Sequence, residues 1–356
     1  MSTDPFLVTF GAVRSLIAQP DKYSKWIGNI LEELEDAYKL DPERYREEML
    51  PYLRDHDAIW RAHAMSTGLD NARLRPLLEY APFLRFRTEL YDFEDLGRLD
   101  MFDAIDRIVS VTMGDFRDDP YVDWEWFGSL PWKELGRLDL INFGVEPRGV
   151  RKVFSSGRLS TLEDLCLSGN RLGLEGAEAL VDGGLTALRE LALNTCQLDD
   201  ASLEALARGE SFSSLQKIDL GSNSIGDEGI AALAASSHFP NLQELDLGWN
   251  RIGVDGARAL ASATFAPNLK KLSLSSNNIT DEGVVALAES ELLENLEHLD
   301  LKYSDVNDRG ALAISNSIFA PKLTSLSLSR TIAETTRQTM RDAGRIPART
   351  LRLAFF

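Results

Sequence analysis

The chain has 356 residues, 44% of them hydrophobic, enough to bury a large core and more than one compact globule usually holds. Its formal net charge of −18 is spread along the chain without any basic stretch, which argues against nucleic acid and anionic membrane as partners. Two cysteines give no disulfide framework, and four histidines leave little material for a metal centre.

Residues 1–80 read as a small helical N-terminal capping domain. The apolar stretch 6–18 is interrupted by Arg14 and closed by Pro20, and Asp4 stands where a signal peptide carries lysines. Neither a signal peptide nor a membrane span fits, so the expected location is cytoplasmic. Residues 23–39 and 42–65 place apolar side chains at helical spacing, and Asp41-Pro42 supplies an N-cap followed by proline at the first helical position. Residues 81–134 read as irregular repeats in transition to something more regular. Val109 and Val111 lie 29 residues before Leu138 and Leu140, and Leu84 and Phe86 lie 25 residues before the two valines. Trp124, Trp126, Phe127 and Trp132 gather just ahead of the first regular repeat, where packing into core or cap is their expected use.

From residue 135 one phrase returns eight times: Leu-x-x-Leu-x-Leu-x-x-Asn-x-Leu. It begins at Leu135, Leu162, Leu188, Leu215, Leu242, Leu269, Leu296 and Leu323, in steps of 27 residues with a single step of 26. A fixed period in this range marks a solenoid. Within each copy, stretches such as Glu244-Leu245-Asp246-Leu247 alternate polar and apolar, the period of a half-buried strand. Asparagine follows at Asn170, Asn223, Asn250 and Asn277, where the chain must turn inside the core and its backbone groups need partners. Cys196, Ser304 and Thr331 fill the same slot in other copies.

Each turn leads into a helical stretch with acids in its first turn and Ala and Leu behind, as in Asp227-Glu228-Gly229-Ile230-Ala231-Ala232-Leu233. Gly176, Gly229, Gly256, Gly283 and Gly310 recur one turn in, which points to close approach of adjacent helices. Pro240, Pro267 and Pro321 precede the next strand, where no ladder bond is lost. At the far end, Leu351 and Leu353 repeat the alternation 25 residues after Leu326 and Leu328 and predict a last capping strand.

This pattern resembles the leucine-rich repeat proteins, specifically the long-repeat class typified by ribonuclease inhibitor. The form Leu-Ser-Gly-Asn-Arg-Leu-Gly-x-Glu-Gly-Ala at 167–177 is similar to multi-repeat proteins of bacteria. The fold expected is therefore α/β: a right-handed solenoid bent into a horseshoe over residues 135–356. Parallel strands line its concave face, helices its convex face, and an α-helical cap closes the N-terminal end.

Chemistry-bearing motifs are scarce. His56 and His63 lie seven apart, too far for the common paired ligands, and His238 and His298 stand alone. No Walker loop, Gly-x-Ser-x-Gly or Cys-x-x-Cys occurs, and both Cys166 and Cys196 fall on repeat positions. The chain is expected to have no catalytic activity, cofactor or metal. The outward strand positions are richer. Asp219, Glu244, Asp246, His298 and Asp300 form an acid-rich row, and Trp249 and Tyr303 place large aromatics where other copies carry Gly169, Thr195, Ser222 and Ser276. Exposed aromatics beside charges are the stuff of binding hot spots. The expectation is a monomeric scaffold that binds a protein partner, possibly basic, across these seven residues. Its narrower form is an inhibitor or regulator of a basic enzyme, as ribonuclease inhibitor is. The rival is an enzyme with its site in residues 1–130.

Overall fold

The computed structural model describes residues 4–18, 33–34, 36–54, 65–67, 86–90, 108–113, 124–329, 331–344 and 351–353. The chain packs as two units, Met1–Met113 with Leu130–Arg137, and Gly114–Ser129 with Leu138–Phe356.

In the first unit, a helix spans Pro5–Ala18. Asp41 caps the next helix by accepting the Arg44 N–H at 3.1 Å, with Pro42 in its first turn, as the Asp-Pro pair predicts. Arg44 joins the two helices: it donates to Asp4 at 2.8 Å and to Glu48 at 2.9 Å, and its guanidinium lies 4.5 Å from the centre of the Phe6 ring. The helical reading of 42–65 stops short of its end. Met65–Thr67 is a strand, β1, paired in parallel with β2 (Phe86–Leu90). Side-chain spacing compatible with a helix is overridden here by a neighbouring strand that offers backbone partners. β3 (Ile108–Met113) contains Val109 and Val111, but the register differs from the one expected. Phe86 pairs with Ile108 and Thr88 with Val111, with an irregularity between Phe86 and Arg87 that a fixed offset of 25 cannot contain. Leu84 and the two N-terminal histidines, His56 and His63, lie outside the described residues.

The second unit is a solenoid of alternating strands and helices. Its strands are β4 (Arg137–Leu140), β5 (Asp164–Cys166), β6 (Glu190–Ala192), β7 (Lys217–Asp219), β8 (Glu244–Asp246), β9 (Lys271–Ser273), β10 (His298–Asp300), β11 (Ser325–Leu328) and β12 (Leu351–Leu353). They follow one another in chain order, and each from β5 to β12 pairs in parallel with the next. β12 stands in the register the C-terminal leucines predict, Leu351 beside Leu326 and Leu353 beside Leu328. A helix follows the strand in each repeat, so consecutive helices pack on one another. Leu245, Leu247, Leu272, Leu274 and their equivalents are buried, which places the polar residues between them on the opposite face. Phe127 and Trp132 are buried as well. Trp124 meets Phe127 and Phe143 edge to face, so Phe143, which takes the asparagine slot of the first repeat, is an aromatic packing residue.

Two rows of hydrogen bonds tie repeat to repeat. On the strand side, the Asn250 carboxamide oxygen accepts the Ile225 N–H of the preceding repeat at 3.0 Å. Its nitrogen donates to the carbonyls of Leu220 and Leu247, each at 3.0 Å. Asn170, Asn223 and Asn277 do the same in their own repeats. Cys196 keeps half of this function, its thiol donating to the Leu167 carbonyl at 3.1 Å, and the Ser304 hydroxyl donates to the Leu274 carbonyl, also at 3.1 Å. Thr331 does not belong to the set. Its hydroxyl reaches the Val306 carbonyl at 2.8 Å, because the last repeat is one residue shorter between strand and helix, and the helix start arrives early.

On the helical side the tie is an aspartate. Asp200, at the start of one helix, accepts the N–H groups of Gly226 at 2.6 Å and Gly229 at 3.0 Å, at the start of the next. Asp227 likewise accepts from Gly253 at 2.6 Å, Asp281 from Asn307 at 2.7 Å and Gly310 at 3.0 Å, and Asp308 from Ala333 at 2.8 Å. This gives Gly229, Gly256 and Gly310 their reason. A Cβ on Gly229 would stand 2.6 Å from the Asp200 carboxylate and 3.0 Å from its Cα. At Gly256 and Gly310 the capping acid of the neighbouring helix approaches likewise, whereas a Cβ on Gly283 would meet the Ala257 Cβ at 3.0 Å and one on Gly176 would meet Leu172 at its own helix start.

Leu247→Ala and Leu274→Ala should each cost about 2–5 kcal/mol in chemical denaturation. Asn250→Ala should cost about 1–3 kcal/mol, since it strands buried backbone groups in two repeats, whereas exposed Asn278→Ala should change stability by less than about 0.5 kcal/mol. Equal losses at Asn250 and Asn278 would remove the asparagine ladder from the account.

Candidate functional site

The outward positions of β7 to β11 line a depression of about 510 Å³. Asp219, Glu244, Asp246, His298 and Asp300 all contribute to it, together with Lys217, Lys271 and Lys302. The parallel register explains the convergence: Asp219 stands beside Asp246 and Glu244 beside Lys271, one strand apart at about 5 Å. Trp249 and Tyr303 are not in the lining. They sit past the strand ends, 64% and 44% exposed, in repeats two strands apart.

Charge in the depression is less one-sided than the acids alone suggest. Lys217 pairs with Glu190 at 3.7 Å, Lys271 with Glu244, and Lys302 with Asp300 at 3.3 Å. His298 meets the Thr324 hydroxyl at 3.2 Å. Asp219 and Asp246 are left without an ion-pair partner among the described residues. Each instead accepts the N–H two residues on, Asp219 from Gly221 at 2.9 Å and Asp246 from Gly248 at 2.8 Å. Asp300 makes the same bond to the Lys302 N–H at 3.0 Å. These aspartates therefore also fix the turn that leaves the strand. Burial, with a smaller contribution from the neighbouring Asp246 charge, raises the Asp219 carboxyl above the ordinary aspartate range.

Backbone geometry at the two aromatics is invisible in a polar/apolar pattern. The position they occupy takes a left-handed conformation in repeat after repeat: Asn142, Gly169, Thr195, Ser222, Trp249, Ser276 and Tyr303 all have positive φ. Trp249 at 58° and Tyr303 at 57° are bulky residues held where glycine or asparagine is favoured, at a cost of order 1–2 kcal/mol each. The signal that could have exposed this is the run of small polar residues at that slot in the other copies. Between the two, the Ser276 hydroxyl is buried with no hydrogen-bond partner among the described residues.

Cys196 is buried, and burial pushes its thiol up to about 12, far from the thiolate that nucleophilic chemistry needs. Among the described residues, no three His, Cys, Asp or Glu side chains gather as a metal-binding group, and no helix is long and apolar enough to cross a membrane.

Because the folded pKa of Asp219 lies above its unfolded value, its contribution to stability is full below about pH 4 and is lost as pH rises through the folded pKa. Asp219→Asn keeps an acceptor for the Gly221 N–H and removes the charge. It should raise the melting temperature at pH 7 and lose that advantage near pH 3, as calorimetry at the two pH values would show. A loss of stability at pH 7 would contradict the assignment.

Five segments, residues 158–181, 213–234, 239–261, 265–288 and 293–315, match the Leucine Rich repeat family model. No curated protein matches the chain in sequence. Among solved structures, the chain is similar to an internalin from Listeria monocytogenes, at 16% identity and a TM-score of 0.48 over 99% of this chain and 96% of that one. The recurring strand, asparagine turn and helix, together with these five matches, identify leucine-rich repeats within residues 158–315.

Proposed function

We propose that the protein is a non-enzymatic interaction scaffold that binds a protein partner on its strand face, across Asp219, Glu244, Asp246, Trp249, His298, Asp300 and Tyr303. The observation that carries this reading is the pair Trp249 and Tyr303. Two large aromatics are exposed to solvent in a backbone conformation that penalises them, beside a depression formed by adjacent strands. Such an arrangement gives a binding surface rigid apolar anchors that lose little entropy on contact. The strands beneath are held in register by the asparagine ladder, so the side chains are spaced before any partner arrives.

The partner is basic in this reading. Asp219 and Asp246 are the two carboxylates of the depression without a cation, and each lysine in it is already engaged by another acid. Inhibition or regulation of a basic enzyme is the narrower form of the same function. The partner meets a cytoplasmic, monomeric protein that needs no cofactor.

Capture from native lysate, comparing the intact chain with Trp249→Ala/Tyr303→Ala, identifies the partner. Binding kinetics then separate the contributions. Reversing Asp219, Asp246 and Asp300 to lysine should slow association by about tenfold or more and flatten its salt dependence. The double aromatic substitution should act mainly on dissociation, speeding it by about a hundredfold. A captured partner indifferent to all five substitutions would move the binding site off the strand face.

A further inference from the structure

From Asp200 onward the helix starts obey a rule that the strand face does not reveal. Where the preceding helix begins with aspartate, the N-cap residue makes no side-chain cap of its own: Gly226, Gly253, Asn307 and Ala333. Where it does not, the helix caps itself. Gly173 stands 27 residues before Asp200, and there Asp199 accepts the Ser202 N–H at 2.9 Å in a full capping box. Val254 stands 27 residues before Asp281, and there Thr280 accepts the Glu282 N–H at 3.3 Å. Valine has no acceptor to offer the next helix. The ties therefore fall into two triplets: Asp200–Ala207, Asp227–Ala235 and Val254–Ala261, then Asp281–Glu289, Asp308–Asn316 and Glu334–Asp342.

We propose that the joint between Val254–Ala261 and Asp281–Glu289 is a hinge, tied on the strand side and untied at the helix starts, dividing these repeats into two separately capped triplets. On the strand side, Asn277 still accepts the Ile252 N–H at 2.9 Å and donates to the Leu247 carbonyl at 2.9 Å, and β8 still pairs with β9. Motion at the joint is thus an opening of the helix starts about a fixed strand side and about the helix ends, where the Ser290 hydroxyl donates to the Ala261 carbonyl. Trp249 belongs to the repeat before the joint, and Ser276 and Tyr303 to those after it. Opening changes the spacing of the two aromatics, and a partner that holds both selects one curvature from those the free chain visits. The hinge itself follows from the capping pattern and does not depend on the binding proposal; only this consequence does.

Native-state hydrogen exchange on the full chain, read by mass spectrometry without any partner, tests the joint. The three helices of each triplet should open together, and the two triplets at different levels. Val254→Asp supplies the missing acceptor 27 residues before Asp281; it should merge the two levels and slow exchange in the less protected triplet by about tenfold. Asp281→Val does the converse and should place a new boundary between Asp281–Glu289 and Asp308–Asn316. A single level in the native chain, or two levels that Val254→Asp leaves apart, overturns the hinge. Should Val254→Asp fail to fold, Asp281→Val decides: a boundary that does not move overturns it as well.

Discussion

Successive repeats in this protein meet the same problem: where the strand ends and where the helix starts, backbone groups lack a partner within the repeat. The answer is the hydrogen bond made between repeats by a side chain. Asparagine serves the strand side, with one carboxamide bonding backbone groups of two successive turns. Aspartate serves the helical side, with one carboxylate of helix i holding the first N–H groups of helix i+1. Wherever such a bond joins two repeats, stability becomes a property of neighbours. Burying the leucines provides the driving force; these bonds decide which stacking is permitted.

The strand face inherits its precision from that constraint. Because the register is locked, residues 27 apart become neighbours at fixed spacing, and a depression lined by Asp219, Asp246 and their lysine-paired companions opens across several strands. The aspartates there do two things at once. They bond the turn that follows the strand, and they leave negative charge on the surface. Trp249 and Tyr303 stand where the turn forces positive φ, which fixes their backbone more tightly than an ordinary surface position would. Function in this reading uses features that the fold already needs for other reasons.

Much of this was legible in the sequence, and the limits have physical causes. The 27-residue period, the inward leucines, the asparagine turn and the C-terminal strand at Leu351 all rest on local patterns repeated often enough to be read directly. Five candidate residues converge because a strict period places them in register. The register of β2 on β3 was not legible, since one irregular pairing between Phe86 and Arg87 shifts it and leaves no trace in composition. Nor was the strand at Met65, whose partner lies about twenty residues away in the chain. Thr331 occupies the right count but the wrong place, because a one-residue deletion is invisible to counting from the strand. The aspartate tie was visible as Asp-x-Gly recurring at Asp227, Asp281 and Asp308, yet its partner is in the next repeat, and only the fold shows that an acid suited to its own helix start is spent on another's.

The first-turn acids offer the most direct test of the coupling between repeats. Asp227 and Asp255 both lie in the first turns of consecutive helices, but Asp227 accepts from Gly253 of the next repeat, whereas Asp255 pairs with exposed Arg258 of its own helix. If acids act here only through the helix dipole, the two are equivalent. If the bond between repeats governs stability, urea denaturation should find Asp227→Ala costing about 1.5–3 kcal/mol and Asp255→Ala less than about 0.5 kcal/mol. Equal losses at the two positions would contradict the account.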